Sequence, residues 1–253
     1  MPRIFCNVPI DLIDHWSLPA DAARHIQVLR LQPGDEFTLF NGNGGEFTAL
    51  ILEMTRKEVI VSIKRFNPIE RELKTSIHLA IGMPANERMD WLIEKATELG
   101  LTKLTPLMTQ HNVVRLDSIR GEKKTQHWNA ISATACTQCG RNTIPLIDKP
   151  IGLLHWLKSF SNNRGITNDN ITKWFFSLDS NAMSLGAQIQ AFRDQAFSSD
   201  KKILIAFGPE GGWSKDEESL LEAHGFKALS LGNRTLRAET AAIATLAAIS
   251  IML

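Results

Sequence analysis

The chain has 253 residues, 43% of them hydrophobic and 22% charged, with 28 Lys and Arg against 27 Asp and Glu. That length and balance fit one or two globular domains with a buried core, and a net charge of +1 gives no whole-chain sign of a nucleic-acid partner. No apolar run reaches the roughly 18 residues a membrane helix needs, and the start, MPRIFCNVPIDLIDHW, lacks the basic-then-apolar order of a secretory signal, so a cytoplasmic protein with no membrane partner is expected.

The first 72 residues read as mostly β. Arg3–Val8 is a short strand, and Asp21–Leu29 is a small helix. DEFTLF and EFTALILEM follow, joined by Asn41-Gly42-Asn43-Gly44-Gly45, whose Asn-Gly chemistry marks a hairpin. EVIVSIKRF (58–66) alternates and adds another strand. Several short strands with one small helix predict a compact barrel. The polar segment NPIERELK (67–74) is the expected boundary, giving domains 1–72 and 73–253.

Beyond it strands alternate with helices. Thr75–Ile81 is a strand, and Arg88–Leu99 is a helix with Met89, Leu92, Ile93 and Ala96 at helical spacing and Gly100 to end it. Leu104–Leu107, Thr172–Leu178 and Lys202–Gly208 are further strands. Lys123–Cys139, Ser214–His224 and Glu239–Met252 are helices, and Ser161–Thr172 is an exposed loop. The alternation predicts an α/β domain with a largely parallel sheet.

Residues 101–149 carry Lys103, Arg115, Arg120, Lys123, Lys124, Arg141 and Lys149 against Asp117, Glu122 and Asp148. That local excess is either a phosphate-binding face or a solvated helical surface. In the same stretch Cys136 and Cys139 form CTQC inside a helical pattern, and with Cys6 they are the only cysteines. No further ligands follow at zinc spacing, so structural cysteines are expected and no metal. The following Arg141 is a contact for phosphate or a base edge, or a charge at a helix C-terminus. Asp90, Glu94 and Glu98 share one helix face as an acidic stripe.

Two motifs stand out further on. ILIAFGPEGGWSKDEE runs from a buried strand into Gly208-Pro209-Glu210-Gly211-Gly212, and Ser214 and Glu217 then form a capping box. Glycines let backbone approach a ligand closely, and the end of such a strand is a favoured ligand site. The loop has neither a Walker lysine nor a dinucleotide fingerprint, so a tight structural turn competes with a binding loop. LGNRTLRAETAA then places Arg234 and Arg237 before an alanine-rich helix, with Glu239 in its first turn. Arg237 and Glu239 could form an ordinary ion pair. The apolar helix needs partners on more than one side, which suits deep burial or a subunit interface.

Taken together, HIQVLRLQPGDEFTLFNGNGGEF, ERMDWLIEKATELG, TACTQCGRNTIP, FGPEGGWS and LGNRTLRAETAA resemble the bacterial 16S ribosomal RNA uridine-N3 methyltransferases of the SPOUT superfamily over nearly the whole chain. The resemblance implies a PUA-like RNA-binding β-barrel followed by an α/β domain tied in a deep trefoil knot. The knot loops would be Leu178–Ala182, Gly208–Gly212 and Leu231–Thr240. It implies a homodimer that binds S-adenosylmethionine through Leu178, Gly208, Pro209, Glu210, Gly211, Gly212, Leu231, Leu236, Thr240 and Ala241. The partner would be 16S ribosomal RNA or the small-subunit particle, met by Arg3, Arg24, Arg30, Arg88, Arg115 and Arg141.

For that chemistry a guanidinium beside O2 or O4 stabilises the anion formed when uridine loses its N3 proton, and Arg237 and Arg141 are the candidates. Glu239 or Glu94 could take the proton. Competing expectations are a relative acting on a ribose 2′-hydroxyl or on transfer RNA, and a non-catalytic ribosome-assembly factor.

Overall fold

The computed structural model describes residues 1–112, 117–161, 171–179, 182–194 and 201–252. They form two compact units, Met1–Glu72 with Ser132–Ile144, and Leu73–Ile131 with Pro145–Leu253.

In the first unit, β1 (Arg3–Phe5), β2 (Trp16–Ser17), α1 (Ala20–Val28), β3 (Glu36–Phe40), β4 (Glu46–Met54) and β5 (Val59–Asn67) follow in order. The five strands make one sheet, β1-β3-β4-β5-β2, parallel at β1–β3 and antiparallel elsewhere. The edges β1 and β2 do not pair with each other among the described residues. Its β4–β5 ladder shifts register at Thr48/Ala49 and Ile51/Glu53; such irregularities bend a strand. The β3–β4 turn needs Gly42, Gly44 and Gly45 at positive φ, which a side chain resists. Ile4, Phe37, Leu39, Ala49 and Val61 pack with Ala22, Ala23 and Ile26 of α1 as a closed core.

Residues 132–144 belong to this unit although they lie far beyond residue 72. Polar bonds hold them there. The guanidinium of Arg3 donates to Glu46 (2.6 Å), to the Asn142 side chain (2.8 Å) and to the Arg141 carbonyl (3.1 Å). Arg71 donates to Glu46 and to the Gly140 carbonyl, and Asn142 donates to the Ile69 carbonyl. Burial opposes ionisation of Glu46, but the hydrogen bonds from Arg71, Arg3 and Asn142 outweigh it and hold the carboxyl below its usual range.

The second unit continues with β6 (Ser76–Gly82), α2 (Asn86–Glu98), β7 (Lys103–Met108), α3 (Ser118–Cys139), β8 (Leu146–Ile147), β9 (Ile151–Gly152) and α4 (Leu153–Ser161). Then come β10 (Ile171–Phe176), β11 (Met183–Ser184), α5 (Leu185–Asp194), β12 (Lys202–Phe207), α6 (Lys215–Ala223), β13 (Lys227–Ser230) and α7 (Ala238–Met252). The end of α3, from Ser132, is the part that counts with the first unit. All strand pairs are parallel, in the order β11-β13-β10-β12-β6-β7-β8, with β9 also on β7. Both faces are covered. Ile77, Leu79, Ile81, Ile203 and Ile205 pack with α2, α5 and α7. Ala80, Leu204 and Ala206 pack with α4 and α6. This two-sided burial is why the central strands read as unbroken apolar runs.

Helix α7 buries Ala242, Leu246 and Ile249 completely in that core. Its end is different: Ile251 is 84% exposed. Among the described residues no helix is long and apolar enough to cross a membrane, and no group of three or more His, Cys, Asp or Glu could hold a metal ion.

Candidate active site

The parallel strands β10, β12 and β13 end at one cleft of about 710 Å³, with Phe176, Phe207 and Ser230 at the three strand ends. Such an edge, where loops leave the carboxyl ends of parallel strands, is where open α/β sheets bind ligands. The Phe176 and Phe207 rings stack there at 4.4 Å and 3°.

The loop Gly208–Gly212 forms one wall. It closes on itself through a Gly212 N–H bond to the Pro209 carbonyl (2.8 Å), with Gly212 at φ +70°. It lies against the end of β6: a Cβ on Gly82 would stand 2.5 Å from the Pro209 nitrogen. Only a residue without a side chain permits that approach. The capping box is present, with the Ser214 hydroxyl accepting from Glu217 N–H and the Glu217 carboxylate accepting from Ser214 N–H, so α6 starts at the loop's far end. Glu218, next in α6, accepts from the Ser177 hydroxyl at 2.6 Å, and that hydroxyl accepts from the Asp179 N–H. Trp213 donates its indole N–H to the Phe176 carbonyl. These bonds tie the loop after β10 to the loop after β12.

Glu210 and Glu239 meet at Arg88. One Glu210 oxygen accepts from the Ala85 N–H (3.1 Å) and from Arg88 Nη1 (3.3 Å), while Arg88 Nε stands 3.7 Å from Glu239. The Glu239 side chain is 7% exposed, and its second oxygen has no hydrogen-bond partner among the described residues. Arg237 is exposed, lines the cleft, and its side chain makes no hydrogen bond or ion pair among the described residues. The ion pair weighed for Arg237 and Glu239 is therefore made by Arg88 instead.

Of the residues expected to hold a cofactor, Leu178, Gly208, Pro209, Glu210, Gly211, Gly212, Leu231, Leu236 and Ala241 line this cleft, together with Arg237. Thr240 does not; it is exposed on α7, with Ala241 turned to the cleft in its place.

The expected RNA-binding arginines separate. Arg24 and Arg30 are exposed on and just after α1, Arg30 ending that helix in the left-handed conformation at φ +57°. Arg88 belongs to the cleft. Arg3 is committed to Glu46 and Asn142. Arg141 is 3% exposed and grips Glu72 through both Nε (2.9 Å) and Nη2, which leaves no open face for phosphate or a uracil ring. Arg115 and the middle of the Leu178–Ala182 loop lie outside the described residues. The acidic stripe on α2 is divided as well. Asp90 accepts from Trp128 and bonds His127, whereas Glu94 and Glu98 hold Lys95 and raise its pKa through hydrogen bonds. Neither Glu94 nor Glu239 lines the cleft, but of the two proton acceptors considered Glu239 is the one that contacts a lining residue, Arg88. Burial pushes the Cys136 thiol up to about 12, which suits an inert structural cysteine.

Residues 71–250 match the RNA methyltransferase domain family, and residues 18–64 match the RNA methyltransferase PUA domain. The chain belongs to the RNA methyltransferase family. Within it, the chain is 33% identical to a Ribosomal RNA small subunit methyltransferase E of Buchnera aphidicola (subspecies Schizaphis graminum), over 99% of this chain and 96% of the relative. A Legionella pneumophila structure solved with bound S-adenosylmethionine superposes with a TM-score of 0.84 at 34% identity, covering 98% of this chain and 96% of the other. A Ribosomal RNA small subunit methyltransferase E from Neisseria gonorrhoeae, also bound to S-adenosylmethionine, gives 0.85 at 30% identity, covering 100% and 98%.

For an RNA methyltransferase the cleft's composition makes chemical sense. S-adenosylmethionine carries no phosphate, so a glycine loop without a Walker lysine is no defect. His111 is a site neighbour that periodicity missed. Its Nδ1 lies 3.1 and 3.2 Å from the Gly211 and Gly212 carbonyls. The only available signal was its place just after a strand, at the sheet edge that carries ligands.

Proposed function

We propose that this RNA methyltransferase transfers a methyl group from S-adenosylmethionine to N3 of a uridine in 16S ribosomal RNA of the small subunit. The observation that carries the reading is the cleft at the parallel strand ends, walled by the glycine loop and edged by Arg237, which is unpaired among the described residues. The resemblance in FGPEGGWS and LGNRTLRAETAA supports the uridine, and the small-subunit enzymes among its relatives support the RNA.

The residues present fit the cofactor. Leu178, Leu231 and Leu236 offer apolar contact for an adenine, the backbone of Gly208–Gly212 offers close polar contact, and Glu218 offers a carboxylate for hydroxyl or ammonium groups. When bound, the sulfonium supplies an already activated methyl group, so the reaction has no need of a metal. Arg237 stabilises the charge that develops on O2 or O4 as N3 loses its proton. Glu239 is the candidate acceptor of that proton, and Arg88 Nε stands 3.7 Å from its carboxylate. The target base must leave its stack to reach the cleft.

In this reading residues 1–72 bind RNA, with Arg24 and Arg30 on the exposed side of α1, and residues 73–253 carry the chemistry. The loops around the cleft form a trefoil knot. The enzyme works in the cytoplasm as a homodimer, with the exposed apolar end of α7 in the interface. Incubation of the pure protein with labelled S-adenosylmethionine and, separately, unmodified small subunits, naked 16S RNA and transfer RNA tests the reading. Label is expected in 16S RNA, as subunits or naked. Label in transfer RNA or on ribose points to the other reaction class, and no label with intact RNA binding points to an assembly factor.

A further inference from the structure

Resting on that reading, we propose that His111 is a positioning residue that presets the cofactor loop through its Nδ1–H. The turn after β7 is itself firmly built: the Thr109 hydroxyl donates to the Asn112 side chain (2.7 Å), and Asn112 donates to the Leu107 carbonyl (3.0 Å). From this base the turn holds both the start of α6 and the glycine loop. The Gln110 N–H donates to the Glu217 carboxylate at 2.8 Å, so one side chain serves both the capping box and the neighbouring turn. The His111 ring meets the Gly211 and Gly212 carbonyls together, at 3.1 and 3.2 Å.

Two carbonyl acceptors determine the tautomer. A carbonyl cannot donate, so Nδ1 must carry the hydrogen, and a neutral ring leaves Nε2 with the lone pair. The bond survives protonation of Nε2, because Nδ1 remains a donor. Fixing the Gly212 carbonyl also fixes the planar peptide that follows, turning the Trp213 N–H away from His111. Steric contact reinforces the bond: a Cβ on Gly211 would come within 2.8 Å of the His111 Cβ, so the loop backbone rests directly on this residue. A loop held in its binding conformation loses less freedom when the ligand arrives, and affinity rises accordingly.

Three variants separate the ring's donor from its bulk. His111→Ala keeps the Cβ that Gly211 rests on but removes the donor. His111→Asn returns an N–H near the position of Nδ1, and His111→Gln places one near Nε2 instead. Calorimetry with S-adenosylmethionine is expected to give a roughly five- to tenfold rise in Kd for His111→Ala, from the loss of one shared hydrogen bond. His111→Asn should recover most of the affinity, and His111→Gln should resemble His111→Ala. Nitrogen-15 NMR of the wild-type ring should report Nδ1–H when neutral. Equal affinity in all three variants, or an Nε2–H tautomer, overturns the proposal. So does an asparagine variant as weak as the alanine one, since the ring would then act by bulk. Wild-type protein that fails to bind S-adenosylmethionine defeats the functional reading instead, and the NMR result then still decides whether the loop bond exists.

Discussion

Gly82 offers a sharp test of how the cofactor loop is held. Its backbone is in an ordinary conformation, so alanine there is resisted by space alone. The added Cβ would stand 2.5 Å from Pro209 N, 2.6 Å from Pro209 Cδ and 3.1 Å from the Gly208 carbonyl carbon. Ordinary contact begins at 3.4 Å, so from 2.5 Å the loop must retreat by about 0.9 Å. The obstacle is backbone and a rigid proline ring, neither of which can rotate aside. Overpacking of this kind costs about 1–3 kcal/mol. The retreat opens the wall of the cleft, and a loss of about 1.4 kcal/mol of binding is a tenfold rise in Kd. Gly82→Ala should therefore melt several degrees lower and bind S-adenosylmethionine on the order of tenfold more weakly, measured by calorimetry on the same samples. Gly186→Ala is the control. It sits in α5 with nothing within 4 Å of its new Cβ and takes no part in the cleft; it should keep full affinity. Unchanged binding by Gly82→Ala would refute the reasoning, because the loop would then not depend on β6 for its place. Gly211→Val is a poorer probe, since its new Cβ meets His111 whether or not a ligand is present.

Four further outcomes follow from particular contacts. Arg237→Ala should lower single-turnover rates by on the order of 10²–10³ at saturating RNA, with thermal stability and RNA affinity nearly unchanged, because the side chain is exposed and unpaired among the described residues. Arg141→Ala should do the reverse, costing on the order of 3 kcal/mol in urea unfolding by stranding Glu72; lysine should rescue it poorly, lacking the planar fork. Burial, aided by Lys103 and opposed by Asp148, pushes His78 down to about 3, so between about pH 6 and pH 3 the unfolded chain takes a proton that the folded chain refuses. Stability should fall there by about 1.4 kcal/mol per pH unit as acid is added, with a flatter slope in His78→Gln. Ile249→Asp should give insoluble protein because that side chain is in the core, whereas Ile251→Asp should fold and sediment as a monomer if α7 ends in a dimer interface.

Much of the second unit was legible because its strands are buried on both faces and its helices on one. The β12 strand, the capping box at Ser214 and the glycine loop all announce themselves by local chemistry. What escaped was short or distant. β8, β9 and β11 are two residues each and owe their pairing to neighbours rather than to their own pattern. The assignment of Arg141 to RNA failed for a related reason. A basic residue after a helix looks exposed in one dimension, and nothing local reveals that Glu72 waits 69 positions earlier. The expected Arg237–Glu239 pair missed Arg88 for the same cause, because the contact spans the chain from α2 to α7.

The central claim is met most directly by mass spectrometry of small-subunit ribosomal RNA from cells lacking this protein, before and after incubation with the pure enzyme and S-adenosylmethionine. One uridine should gain the mass of a single methyl group, located at N3 by fragmentation of the nucleoside, and Arg237→Ala should add it far more slowly. An unchanged RNA, or a methyl group found on ribose, would contradict the assignment.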